Sequence, residues 1–159
     1  MITVREFQES DASCAAEIYY LSIKTYLKER TAPQRPPEYW ANVMKRFTND
    51  EFDNISFVAL DDGKVVGCIT ITSALRRGLG SLQRIGVLPE YAGRGIGRML
   101  FEAADRFWRE RKMRKVSVSV SSINPNGIKF YERCGFHLEG VLKEHNFAGV
   151  DEHIMAIFY

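Results

Sequence analysis

At 159 residues the chain suits one domain, residues 1–159, long enough to bury about two-thirds of its unfolded surface without disulfide or metal staples. A hydrophobic fraction of 45% and a charged fraction of 26% are those of an ordinary globule, and a net charge of +2 is too small to argue for nucleic acid. Three widely spaced cysteines, Cys14, Cys68 and Cys134, suit reduced thiols better than a disulfide framework or a zinc site. The opening MITVREFQESD lacks the basic start and apolar core of a signal peptide, and nowhere do about 18 apolar residues run together, so the expectation is a cytoplasmic protein with no membrane partner.

Residues 2–7 alternate as a first strand does, and Ser10 or Asp11 can cap a helix carrying Ala12, Ala15, Ile18, Tyr19 and Ile23 on one side. Residues 27–37 hold three prolines and cannot be regular, and residues 38–47 give a second short helix with Tyr39, Trp40, Val43 and Phe47. Residues 55–60 and 65–72, with Asp62-Gly63 between them, predict a hairpin. Residues 75–80 lead into a fourth strand at 81–87.

The most informative stretch is VLPEYAGRGIGRML, residues 87–100. Pro89 has no N–H to give a ladder, so the strand stops there. Gly93, Gly95 and Gly97 let the backbone take positive φ and approach a ligand closely, and Ile96, Leu100, Ala103 and Phe107 recur at helical spacing. A glycine turn opening a helix presents unpaired N–H groups and the positive end of the dipole, which suits a pyrophosphate, and Arg94 and Arg98 add full charges. A dinucleotide fold would place an acidic residue about 20 positions on, among residues 112–116, where there is none.

Downstream, the helix over residues 95–111 ends in Arg109, Arg111, Lys112, Arg114 and Lys115, which complement its dipole. Residues 115–121 then alternate Val116, Val118 and Val120 with Ser117, Ser119 and Ser121, a strand whose serine face suits a cleft. Asn124 fits an N-cap, Pro125 the first helical position and Gly135 the C-terminal stop of a helix bearing Ile128, Phe130 and Tyr131. Residues 136–142 and 152–158 read as two final strands, and His137, His145 and His153 match no metal spacing.

VLPEYAGRGIG resembles motif A of the GNAT superfamily of acyl-CoA-dependent N-acyltransferases, V-x-P-x-x-[Q/R]-x-x-G-x-[G/A]. NPNGIKFYERCGF, residues 124–136, resembles its second signature, an Asn followed seven residues later by a Tyr and then by Gly-Phe. The resemblance implies an α/β (mixed α+β) single-domain fold: a mixed, mostly antiparallel sheet of about seven strands, helices on both faces, and a parallel fourth and fifth strand that splay apart. It also implies acetyl-CoA as cosubstrate, with no metal.

Position by position, Ile85 and Val87 would offer main-chain groups to the pantetheine, and an N–H near Val87 would polarise the acetyl carbonyl. Gly93, Arg94, Gly95, Ile96, Gly97 and Arg98 would bind the pyrophosphate, mainly by backbone, and Asn124 would hydrogen-bond the cofactor. Tyr131 would protonate the departing thiolate, since a thiol (~8.5) and a phenol (~10) have similar reference pKa values. Tyr26, Glu29, Tyr39 and Trp40 are candidates for the acceptor side. Ala92 departs from the pattern's Gln or Arg, at a cost of about 1 to 2 kcal/mol in pyrophosphate contact.

The general base is unassigned. The fourth strand has Gln83 and Arg84, the fifth only serines, and Glu144, His145, Asp151 and His153 are left from the last two strands. The implied function is transfer of an acetyl group from acetyl-CoA to a primary amine, by direct attack in a ternary complex. The acceptor would be an amine-bearing small molecule or a peptide N-terminus. A non-catalytic acyl-CoA-binding regulatory or interaction module is the alternative, with a general nucleotide-phosphate binder behind it. The edges of the C-terminal hairpin suit a homodimer.

Overall fold

The computed structural model describes residues 1–159. In chain order its elements are β1 (Ile2–Glu6), α1 (Ala12–Leu27), α2 (Pro37–Met44), β2 (Phe47–Thr48), β3 (Asp53–Asp61), β4 (Lys64–Ala74), β5 (Leu79–Val87), α3 (Ile96–Glu110), β6 (Lys115–Ser121), α4 (Pro125–Cys134), β7 (His137–Phe147) and β8 (Val150–Phe158). The sheet runs β1-β3-β4-β5-β6-β8-β7, with β2 beside β3. Only β5 and β6 pair in parallel.

Two elements differ from the sequence reading: β7 runs five residues past the expected end at 142, to Phe147, with β8 beginning at Val150, and the second helix is shorter. The second helix stops at Met44, and Phe47 belongs instead to β2, where it pairs with Asn54 and is 51% exposed. The cause is local: Asn49 Oδ1 accepts the N–H groups of Glu51 and Phe52, both at 2.8 Å, and folds the chain back onto β3. With β2 counted, the expected fourth and fifth strands are β5 and β6. The β3–β4 hairpin turns on Asp62 and Gly63, both left-handed at φ 47 and 89, as a two-residue turn matching the strand twist requires.

Helices cover both faces, and two glycines show why they can come so close. A Cβ on Gly67 would meet Leu100 at 3.1 Å and Ile96 at 3.2 Å, both on α3. One on Gly86 would stand 2.8 Å from Ser22 Oγ and 3.2 Å from Ile18, on α1. Gly67 is opposite Val87 in the ladder, so Gly86 points to the other side. The core thus lies in two layers: Ala15, Ile18 and Tyr19 under α1, and Ile96, Leu100, Ala104 and Trp108 under α3, all at most 1% exposed.

The feature that makes a site is a break in the middle of the sheet. β5 and β6 pair from Leu79 with Lys115 to Leu82 with Val118, and there the ladder ends. At the same point β5 bulges: Thr70 pairs with Arg84 and Ile71 with Leu82, leaving Gln83 unmatched. Beyond the bulge β5 stays with β4 and β6 stays with β8, so the strands part and a gap opens between them.

Candidate active site

Residues of β5 beyond the bulge alternate between β4 and the gap. The Leu88 N–H bonds the Val66 carbonyl at 2.9 Å, which sets the phase: Arg84, Gly86 and Leu88 turn their main-chain groups to β4, whereas Ile85 and Val87 turn theirs to the gap. The Val87 carbonyl is met there by Ser22 Oγ at 3.2 Å. The gap widens into a cavity of about 910 Å³, walled by α1, β5, the glycine loop, the start of α3, β6, α4 and Glu152 of β8. Ile85, Val87, Gly93, Gly95, Ile96, Gly97, Arg98, Asn124 and Tyr131 all line it. A second cavity, about 730 Å³ between β1, β3 and α3, holds none of them.

On the α3 side, Gly93 and Gly95 both have φ +78 with open space where a Cβ would be. Gly95 is the N-cap of α3, and its carbonyl accepts the first helical bond, from Met99 at 3.1 Å. The N–H groups of Ile96, Gly97 and Arg98 therefore have no partner within the helix. Gly97 lets Phe130 of α4 pack against the turn, since a Cβ there would come within 3.2 Å of the ring. Arg98 ties the two helices, donating to Glu102 and to the Arg133 carbonyl, each at 3.1 Å. Arg94 is the expected residue that does not line the cavity; its guanidinium stacks on Tyr91 at 4.8 Å.

Asn124 caps α4 as expected, its Oδ1 accepting the Gly127 N–H at 3.0 Å. The cap fixes the start of the helix that carries Tyr131, which is 7% exposed between Phe130 and Phe136, with ring centroids at 5.4 and 5.6 Å. Its hydroxyl has no hydrogen-bond partner within the protein. Burial raises its pKa, with Tyr26 and Cys134 adding to the effect. This corrects the expectation of a phenol near its reference value: Tyr131 holds its proton more tightly. A thiolate formed in the same dry surroundings is also raised, which narrows the mismatch.

On the α1 side, Ser119 and Ser121 face away from Val116, Val118 and Val120, which are buried. Glu152 pairs with Ser121 across the β6–β8 ladder and shares its face. It is 8% exposed, its Oε1 accepts the Ser119 hydroxyl at 3.1 Å, and no Lys, Arg or His pairs with it. It is the one carboxylate on the cavity wall. Tyr26 lies beside it, its pKa raised by burial and by the Glu152 charge.

The sequence reading missed Glu152 and named its neighbours. Asp151 is bound to Lys143 at 2.9 Å, Glu144 accepts the Gly149 N–H at 2.6 Å, His145 is exposed, and His153 pairs with Val120 and so faces the other side. None lines the cavity, and of Tyr26, Glu29, Tyr39 and Trp40 only Tyr26 does. The signal was the partnering of β6 with β8, which a serine face and an alternating tail do not reveal separately. Cys134, also unexpected, lies on the wall, where burial pushes its thiol up to about 11.

The model of the acetyltransferase (GNAT) family matches residues 16–136. The chain belongs to this family. It is 27% identical over 146 residues, 89% of its length, to an uncharacterised N-acetyltransferase of Methanocaldococcus jannaschii, of which it spans 63%. It is 26% identical to N-alpha-acetyltransferase 30 of Schizosaccharomyces pombe over 62% of this chain and 68% of that one. Among solved structures, the Escherichia coli ribosomal-protein-S18-alanine N-acetyltransferase superposes with a TM-score of 0.77 at 21% identity, covering 99% of this chain and 94% of that one. The PaiA N-acetyltransferase of Thermoplasma acidophilum, solved with coenzyme A, gives 0.73 at 20% identity over 100% and 99%. These two likenesses concern the fold, and the splayed β5 and β6 are the part of it that matters for the site.

Proposed function

We propose that this GNAT protein is an acetyl-CoA-dependent N-acetyltransferase that acetylates a primary amine by direct attack within a ternary complex. The observation that carries this reading is the gap between β5 and β6. It joins a glycine-lined helix N-terminus on one face of the sheet to a buried, unpaired carboxylate on the other, with Tyr131 on its wall.

The residues fit the cosubstrate. Gly93 and Gly95 leave the cradle open, three N–H groups at the start of α3 are free for the pyrophosphate, and Ile85 and Val87 turn main-chain groups to the gap for the pantetheine amides. Arg94 and Arg98 add charge at the loop, and Asn124 stands beside it with its amide nitrogen unengaged. Bound there, acetyl-CoA supplies an activated acyl carbon. The Val87 N–H serves as donor to the acyl oxygen.

An alkyl ammonium, with a reference pKa of ~10.4, must lose a proton before it can attack. Glu152 takes that proton before the attack and passes it to solvent, then takes the second nitrogen proton as the nitrogen–carbon bond forms, and Ser119 holds the carboxylate in place. As the carbon–sulfur bond breaks, its electron pair stays on sulfur and Tyr131 supplies the proton. Tyr131 then recovers a proton from solvent and Glu152 returns one. Burial pushes the Cys134 thiol on the cavity wall up to about 11, which leaves little thiolate at neutral pH and favours direct attack over an acyl-cysteine carrier.

Thiol release from acetyl-CoA with pooled amines tests the reading. An amine should stimulate release by the parent protein, initial rates should intersect rather than run parallel when both substrates vary, and Tyr131→Phe should slow release at least about tenfold with CoA binding retained. Tight CoA binding with no amine stimulating release would instead favour the non-catalytic acyl-CoA-binding module.

A further inference from the structure

Arg84 is a charge without a partner at the acceptor end of the cavity. It turns to the same face of β5 as Gly86, the face covered by α1, and lines the cavity there. Its guanidinium lies 5.6 Å from the ring centroid of Trp40, half-buried, with no carboxylate and no hydrogen-bond acceptor in the protein. The other two arginines on the wall belong to the opposite side of the sheet, where Arg98 is bound to Glu102 and Arg133 is carried by α4. Among the residues contributed by α1, β5 and β6, Arg84 is the one cation.

Glu152 stands on the same face, across the gap, beside β6. The acceptor end therefore presents one unpaired cation on the β5 arm and one unpaired anion at the β6 arm. With no acceptor in the protein, the hydrogen-bonding edge of the Arg84 guanidinium is free, and that edge matches a carboxylate in two-pronged fashion. A polyamine would bring further positive charge against Arg84, which disfavours it.

Resting on the acetyltransferase reading above, we infer that the acceptor is an amine that also carries a carboxylate, its ammonium seated on Glu152 and its carboxylate on Arg84. A free amino acid or a peptide whose first residue is acidic would both supply this chemistry.

The test compares matched acceptors that differ in one charge: free amino acids against their amides, and Asp- or Glu-initiated peptide amides against Asn- or Gln-initiated ones, with spermidine as a polycation. Two readings are taken, kcat/KM by thiol release and equilibrium binding of each acceptor to the protein saturated with CoA. The carboxylated member of one set should be preferred by about ten- to a hundredfold, and that set identifies the source of the carboxylate. Arg84→Gln should collapse the ratio towards one, and Arg84→Lys should restore part of it. Because the ratio is compared between proteins, differences in amine basicity cancel. CoA affinity reports whether each variant is folded, and the Lys variant keeps the test open if the Gln variant is not.

An unchanged ratio in folded Arg84→Gln, no preference for carboxylated acceptors in either set, or spermidine as the best acceptor would each overturn the subsite while leaving the acetyltransferase reading in place. A preference for succinyl-CoA over acetyl-CoA that is lost in Arg84→Gln would place the carboxylate on the acyl group and would also overturn it. Release stimulated by no amine at all would remove the reading on which the subsite rests, and the subsite with it.

Discussion

Ser119 of β6 donates its hydroxyl to the carboxylate of Glu152, on the neighbouring strand β8, at 3.1 Å. The bond sets an acidic group at the mouth of the gap although neither arm of the gap, β5 or β6, carries one. Glu152→Gln should lower kcat by about a hundredfold or more, with CoA affinity kept. The residual rate should climb with pH towards the acceptor amine's own pKa, about 8 for a peptide α-amine and ~10.4 for an alkyl amine, since the variant must wait for amine that is already neutral. Ser119→Ala should have a smaller effect, as it frees the carboxylate without removing it. Equal rates for parent and Glu152→Gln across that range would exclude the residue as base.

Tyr131 combines burial with a hydroxyl that bonds nothing in the protein. Tyr131→Phe should thus change unfolding free energy by less than about 1 kcal/mol while slowing turnover at least about tenfold. Since burial raises the phenol above its ordinary value near 10, no loss of activity below that pH should trace to its ionisation. A falling alkaline limb that is present in the parent and absent in Tyr131→Phe would contradict this.

Gly86 and Gly95 should fail in different ways when changed to alanine. At Gly86 the new methyl meets Ser22 and Ile18 across the sheet, and denaturant unfolding should show a loss of about 1 to 3 kcal/mol. At Gly95 there is room, but φ is +78, so the loss should be nearer 1 kcal/mol and CoA affinity should fall as the cradle shifts. A Gly95→Ala protein with full CoA affinity would argue against the loop as the pyrophosphate site.

The Cys68 thiol is completely buried, and burial pushes it up to about 12 from an ordinary value of 9.0. Between those values the unfolded chain releases a proton that the folded chain keeps, so stability must fall as pH rises. The contribution is fully present below about pH 9 and is lost at up to about 1.4 kcal/mol per pH unit above it. Urea unfolding from pH 8 to 11 should show the decline, and Cys68→Ala should have a shallower slope despite lower stability at pH 8. Identical slopes would assign the alkaline loss to other groups.

Much of this was legible in the chain because the signals are local. Asp62-Gly63, Pro125 after Asn124, and Gly93 and Gly95 each act through the conformation of their own backbone, and each appears where expected, whereas Gly97 is helical without the positive φ expected of it and matters for its closeness to Phe130. The extent of β2 was not legible, since Phe47 continues the apolar spacing of α2 and only the side chain of Asn49 diverts it. Glu152 was hidden for a different reason. Its role depends on which strand lies beside β6, and that pairing joins residues about thirty apart along the chain, whereas Asp151 and His153 look equally suitable in sequence. Arg94 shows the converse: a cation correctly placed in the loop is drawn by Tyr91 onto an aromatic face.

The most direct measurement is mass spectrometry of an amine pool incubated with the protein and acetyl-CoA, with released CoA thiol counted in the same sample. Equal amounts of N-acetylated amine and free CoA are expected, with no acetyl group left on the protein. Saturable CoA binding without any acetylated amine, or a stable acetyl-protein on the path to product, would contradict direct transfer in a ternary complex.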